Sequence, residues 1–197
     1  MEESPLRERL IDVGVELVKT EGTGALGLRE IARRAGVSHG APRRYFPTHQ
    51  ALLSAIARRG FAEMGARFAR AGAGAAAPRE RVRALASAYV GYALEHRAMF
   101  ELMFRHDLLA SPVEGGAGGP RLRESTLPLF GLLVELVAWC DAAEPELTAA
   151  ALWANLHGVA QLWAWGSLPL VLGSDAGDLV DRLVGAALDA HLGPEAP

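Results

Sequence analysis

The sequence predicts an all-α protein, and three observations carry that reading. Leu6, Leu10, Val13 and Leu17 recur at i, i+4, i+7 and i+11, the stripe of an amphipathic helix. Comparable spacing returns along the chain, whereas no run shows the alternation of a half-buried strand and no internal repeat is present. Gly, Pro, Ser and Thr fall between the periodic segments, where they stop or cap helices.

The elements follow in order. A first helix is expected from about Pro5 to Thr20, closed by Gly22 in "EGTGALG". Leu28, Ile31, Ala32 and Ala35 mark a short second helix that Gly36 ends. Ser38 is a suitable N-cap for a third, covering roughly 39–45. Pro47 closes that helix, and Thr48 caps a long fourth through Leu52, Leu53, Ile56, Phe61 and Met64. "AGAGAAAP", 71–78, reads as a hinge or helix end, with Pro78 suited to a first turn. Further helices are expected at about 79–95, 97–109, 121–141, 145–166 and 175–191, with a flexible loop at 111–120. The functional division expected is 1–50, with a helix-turn-helix at about 27–46, and 51–197.

Half of the 197 residues are hydrophobic, which supplies a core and excludes wholesale disorder. A single cysteine, Cys140, rules out an intramolecular disulfide and a Cys-rich zinc site, and suits a reducing cytoplasm. The N-terminus lacks the apolar h-region of a secretory signal, and no stretch approaches the ~18 apolar residues of a membrane span. A cytoplasmic location without membrane attachment is the expectation.

The net charge of −3 hides an asymmetry. Residues 1–60 carry ten Lys/Arg against seven Asp/Glu, and residues 61–197 carry ten against sixteen. Between 28 and 60, seven arginines face one acid, Glu30. Such a segment either meets a polyanion or forms a solvated helix face.

Two motifs within this region mislead. Gly36-Val37-Ser38-His39-Gly40 matches the G-x-S-x-G nucleophile elbow, which needs a preceding strand, yet "LREIARRA" is helical. Gly22, Gly24 and Gly27 spell G-x-G-x-x-G, but after a helix rather than a strand. No acid–base pair or activated nucleophile can be assembled, the six histidines lack metal-ligand spacing, and no cofactor is implied; a non-enzyme is expected.

What remains is a helix-turn-helix. Ala32 is small enough for one helix to cross closely over the other, Gly36 permits the tight turn, and Val37 plugs its corner. Ser38 is expected to satisfy free backbone N–H groups. His39, Gly40, Ala41 and Pro42 keep the leading edge slim, letting it enter a major groove about 12 Å wide. Arg43 and Arg44 then lie where phosphates or a guanine edge come within reach.

At this point "LREIARRAGVSHGAPRRYFPTHQALLSAI" resembles the DNA-binding signature of the TetR family of bacterial transcriptional repressors, a likeness that extends over roughly 5–60. The resemblance implies a three-helix DNA-binding domain joined by a long fourth helix to a larger helical ligand-binding and dimerisation domain. Its reading helix would be Ser38 to Phe46. Carried over by position, the DNA-contacting set is Arg29, Ser38, His39, Gly40, Ala41, Arg43, Arg44, Tyr45 and His49, with Phe46 in the core. Three positions depart from the family pattern. Gly27 stands where Thr or Ser usually caps and touches a phosphate, Arg43 where many members have Tyr, and His49 where Lys is common. An imidazole in place of a permanent ammonium implies a weaker phosphate contact at His49.

Further along, "WANLHGVAQLWAWG", 153–166, is similar to the Trp…His-Gly (WHG) helix of one TetR subgroup. Trp153, His157 and Gln161 share one stripe of it; Leu152, Leu156, Val159 and Trp163 share another. The family pairs its last two helices across a homodimer, and Leu179, Leu183, Gly185, Ala186, Ala187 and Leu188 suit either that pairing or the monomer core. Tyr89, Tyr92, Phe100, Met103, Phe104, Trp139 and His157 are the candidate lining for a small hydrophobic inducer, or ordinary core. The expected function is a homodimeric repressor that leaves a double-stranded DNA operator when ligand binds. The alternative is a helical ligand-binding or protein-interaction module with weakened DNA binding.

Overall fold

The computed structural model describes residues 5–75, 77–110, 122–173 and 176–194; the loop expected at 111–120 lies outside them. Among the described residues every regular element is helical. The α-helices are α1 (Pro5–Glu21), α2 (Leu28–Arg34), α3 (His49–Gly72), α4 (Pro78–Glu95), α5 (Arg97–Met103), α6 (His106–Ala110), α7 (Leu122–Ala138), α8 (Pro145–Ala164), α9 (Ser167–Leu172) and α10 (Ala176–Leu192). Single 3₁₀ turns occupy Thr23–Ala25 and Pro42–Arg44.

The chain divides into two compact units, the described residues of Met1–Glu63 with Ala98–Thr126, and those of Met64–Arg97 with Leu127–Pro197. In the first, α1 buries Leu10, Ile11, Leu17 and Val18, and α2 buries Ile31 and Ala32. Gly14 lets α1 approach α3, since a Cβ there would stand 2.8 Å from Ile56 Cγ1. Gly60 does the same for α3 and α5, where a Cβ would lie 2.5 Å from Met103 Sδ. Thr48 Oγ1 accepts the Ala51 N–H at 3.0 Å, the expected cap of the long helix.

In the second unit α4, α8 and α10 pack together. α4 buries Val82, Leu85, Ala86, Val90 and Ala93, α8 buries Ala149, Leu152, Leu156 and Ala160, and α10 buries Val184, Ala187 and Leu188. Full burial of each larger aliphatic contributes roughly 1.5–3 kcal/mol. Pro78 and Pro145 occupy first-turn positions, where the missing N–H costs nothing. Glu80 accepts the Ala77 N–H at 3.2 Å, and Arg97 donates to the Ala164 carbonyl at the negative end of α8.

Three expectations need correction. The helix expected over 39–45 is a single 3₁₀ turn, Pro42–Arg44, preceded by a turn in which the Ala41 N–H reaches the Ser38 carbonyl at 3.0 Å. Pro42 has no N–H to offer that carbonyl, so the i→i+3 bond forms instead. The helix expected over 97–109 breaks at Phe104–Arg105, where the Arg105 N–H bonds Leu102, one residue short of the α ladder. A helix that periodicity does not announce, α9, follows Gly166, whose φ of 78° is left-handed.

Candidate nucleic-acid interface

Ala32 is fully buried where α2 needs a small crossing residue. Gly36 has φ 67°, a conformation in which any side chain is strained, and the Val37 N–H closes the turn on the Ala32 carbonyl at 3.0 Å. Beyond it, Ser38, His39 and Gly40 are exposed and Ala41 is half-buried. Pro42 is buried, Arg43 and Arg44 are exposed, Tyr45 is half-buried, and Phe46 lies at 2% exposure with the Arg7 guanidinium 5.5 Å over its ring. The segment therefore presents one outward edge, His39 to Ala41 flanked by two arginines, on a buried Pro42–Phe46 base. Tyr45 N–H and Phe46 N–H both bond the Pro42 carbonyl, which fixes that base.

The seven arginines of 28–60 do not act as one patch. Arg33 grips Glu30 through Nε at 2.9 Å and Nη2 at 2.5 Å, while Arg34 bonds Glu30 at 2.7 Å and also Glu21. These hydrogen bonds, Arg33's first, hold the Glu30 carboxyl down at about 2. Arg59 pairs with Glu8 and Asp12 on α1. Arg29, Arg43 and Arg44 are exposed and turned to solvent. Gly27, the N-cap of α2, provides no side-chain cap. Exposed His49 opens α3, and its Nε2 lies 2.5 Å from the Leu26 carbonyl oxygen.

The candidate ligand residues fall in different units. Phe100, Met103 and Phe104 belong to the first, where Phe104 packs edge-on against Phe61, centroids 5.5 Å apart. Tyr89, Tyr92, Trp139 and His157 belong to the second. There Tyr92 is fully buried with the Arg67 guanidinium 5.2 Å over its ring, whereas Trp139 is 56% exposed. Tyr89 and His157 meet at 2.7 Å, Trp153 joins them through its indole N–H, and Phe130 stands edge-on to Trp153. Burial pushes the Tyr89 phenol up and His157 down from their ordinary values, so both are neutral near pH 7. Among the described residues no cluster of three His, Cys, Asp or Glu is arranged to hold a metal ion, and no helix is long and apolar enough to cross a membrane.

Comparison with known proteins joins the two units to one family. The profile of the Bacterial regulatory proteins, tetR family, matches residues 10–56, and that of the Tetracyclin repressor-like, C-terminal domain matches 82–187. The second alone spans more than half of the chain. This chain belongs to the TetR family. The first profile covers the helix-turn-helix segment, and the second covers residues from both compact units.

The HTH-type transcriptional regulator BetI of Rhizobium meliloti (strain 1021) is 38% identical over 79 residues, which is 40% of this chain and 39% of that relative. The matched region thus spans about two fifths of the curated relative. A solved structure of a protein with unknown function from Rhodococcus sp. RHA1 is similar over 97% of this chain and 95% of its own, with 33% identity and a TM-score of 0.76. A TetR-like transcriptional regulator from the same organism shares the fold at 22% identity, covering 95% of this chain and 98% of its own, with a TM-score of 0.64.

Sequence reasoning missed Trp153 and Phe130 as companions of Tyr89 and His157. The signal was available for Trp153, which shares a helical stripe with His157 and Gln161. It was absent for Phe130, whose partner is distant in sequence.

Proposed function

We propose that this TetR-family member is a cytoplasmic homodimeric repressor that grips an operator through Arg29, Ser38, His39, Gly40, Ala41, Arg43, Arg44 and Tyr45. The observation that carries the reading is the slim His39–Ala41 edge flanked by Arg43 and Arg44, both exposed, while Arg33 and Arg34 are occupied by Glu30. Phosphate contacts from these cations supply affinity and a strong salt dependence. The functional division proposed is 1–50 and 51–197, a boundary near the start of α3 that differs from the division into compact units.

Dimerisation is assigned to α8 and α10. Leu147 and Leu162 on α8 and Trp165 at its C-cap are 63%, 40% and 66% exposed, apolar surface of the kind that marks an interaction face. Two reading heads then face successive major grooves about 34–36 Å apart. Ala187 and Leu188 serve the chain's own core instead.

The inducer reading centres on Tyr89 and His157, with Trp153 and Phe130 beside them, and the Trp153–His157 pairing supports the Trp-His-Gly subgroup. Tyr92, Phe100 and Met103 are at most 3% exposed, so a ligand reaching them displaces core packing. A hydrophobic ligand acts by favouring a conformer whose heads are wrongly spaced.

The test is the double variant Arg43→Ala/Arg44→Ala. Fluorescence anisotropy with the intergenic DNA beside its own gene, titrated over salt with unrelated DNA as competitor, should show specific binding lost. Circular dichroism and the melting temperature should be unchanged. Full DNA affinity in the double variant sinks this assignment of the reading edge, whereas absence of specific binding by the wild type favours a module that no longer reads DNA.

A further inference from the structure

His49 is the first residue of α3, directly after the Thr48 cap. Its Nε2 bonds the carbonyl of Leu26, 23 positions earlier. A carbonyl oxygen only accepts, so Nε2 carries the proton. In the neutral ring this leaves Nδ1 as a bare acceptor, and a phosphate oxygen, also an acceptor, gains nothing from it. The nitrogen able to donate is already committed.

The far end of the bond is equally informative. Leu26 is anchored in the core at 2% exposure, and its carbonyl immediately precedes Gly27. Gly27 has no side chain with which to cap α2, in contrast to Thr48 at the start of α3. Among the described residues, no backbone hydrogen bond outside the regular helices ends on the Leu26 oxygen. The imidazole thus fixes a turn that lacks the usual side-chain fixation.

We propose that His49 is a positioning residue for DNA recognition, holding the Leu26–Gly27 turn, and with it Arg29, against the N-terminus of α3 rather than touching a phosphate. This role rests on the DNA-binding reading above. It makes two of the chain's departures complementary: Gly27 gives up a cap, and His49 restores the constraint from the other side.

Two measurements on the full chain test it, one of which needs no DNA. Imidazole ¹⁵N NMR should find His49 as the Nε2–H tautomer. Amide exchange at Gly27–Ile31 should quicken about five- to tenfold in His49→Ala and return to wild type in His49→Gln, whose amide restores a donor. An Nδ1–H tautomer, or unchanged exchange in His49→Ala, overturns the clamp.

The second measurement is anisotropy with labelled intergenic duplex over a range of salt. His49→Ala should weaken binding about five- to tenfold with the salt slope unchanged, and His49→Gln should recover it to within about twofold. A slope reduced by about 0.9 for each lost contact, without rescue by Gln, identifies a phosphate contact and overturns the proposal. Absence of specific binding by the wild type overturns the DNA reading and this role with it. The tautomer and exchange results then tell that failure apart from failure of the clamp.

Discussion

The Tyr89 hydroxyl lies 2.7 Å from His157 Nδ1 and receives the Trp153 indole N–H at 3.1 Å, so one oxygen ties α4 to two successive turns of α8. The indole only donates, so the hydroxyl accepts from it, and the tautomer of His157 sets whether that oxygen donates to Nδ1 or accepts from it as well.

Burial already lowers the affinity of His157 for a second proton. The unfolded chain binds that proton more readily, so this contribution to stability is complete above the ordinary histidine value of 6.5 and is lost as pH falls below it. Melting temperatures between about pH 7.5 and about pH 5 should fall less steeply for His157→Gln than for the wild type. Identical slopes would refute the assignment.

The Thr48 cap predicts a selective loss. Thr48→Ala should cost about 1 kcal/mol in urea unfolding, while Thr48→Ser, which keeps the hydroxyl, should cost a small fraction of that. Equal effects of the two would mean that the Ala51 N–H finds another acceptor.

Gly14 and Gly60 both mark close helix crossings, yet their alanine variants should differ. At Gly14 the new methyl meets Ile56, fully buried and stiff at χ1. At Gly60 it meets Met103 and Met99, whose unbranched chains can repack. Overpacking of about 1–3 kcal/mol is opposed by about 1 kcal/mol of helix propensity. Gly14→Ala should destabilise by about 1–2 kcal/mol and Gly60→Ala by less, measured by denaturant midpoint; the reverse order would contradict the packing described.

Glu30 holds two guanidinium groups, so its removal should change how the first unit meets any DNA. Glu30→Gln releases Arg33 from its ion pair and leaves Arg34 held by Glu21 alone. Affinity for unrelated DNA at low salt should rise about three- to tenfold, with a steeper salt dependence. A variant indistinguishable from wild type would show that these arginines lie too far from the bound backbone to matter.

Much of this was legible in the sequence, because helical periodicity and caps act locally. Thr48 capped the helix it was expected to cap, Gly36 took the left-handed turn, and Ala32 filled the crossing. The 3₁₀ turn at Pro42–Arg44 was harder to read, since Pro42 favours a helix start while denying the Ser38 carbonyl its α-helical partner. Helix α9 was hidden because "SLPLVL" shows no amphipathic pattern; none of its residues is buried. At the candidate interface the residue types were legible, but their pairing was not. Nothing local says that Arg34 reaches Glu21 or that His49 reaches Leu26, contacts that span 13 and 23 positions.

All four tryptophans, Trp139, Trp153, Trp163 and Trp165, lie in the second unit. Under selective indole excitation, the helix-turn-helix is therefore dark and the larger helical unit emits. Trp139 and Trp165 are more than half exposed and should dominate a red-shifted band, while Trp153 reports from beside Tyr89 and His157. The chain carries its own optical label on the side assigned to the small molecule, leaving the colour of a dye on the DNA free to follow the other.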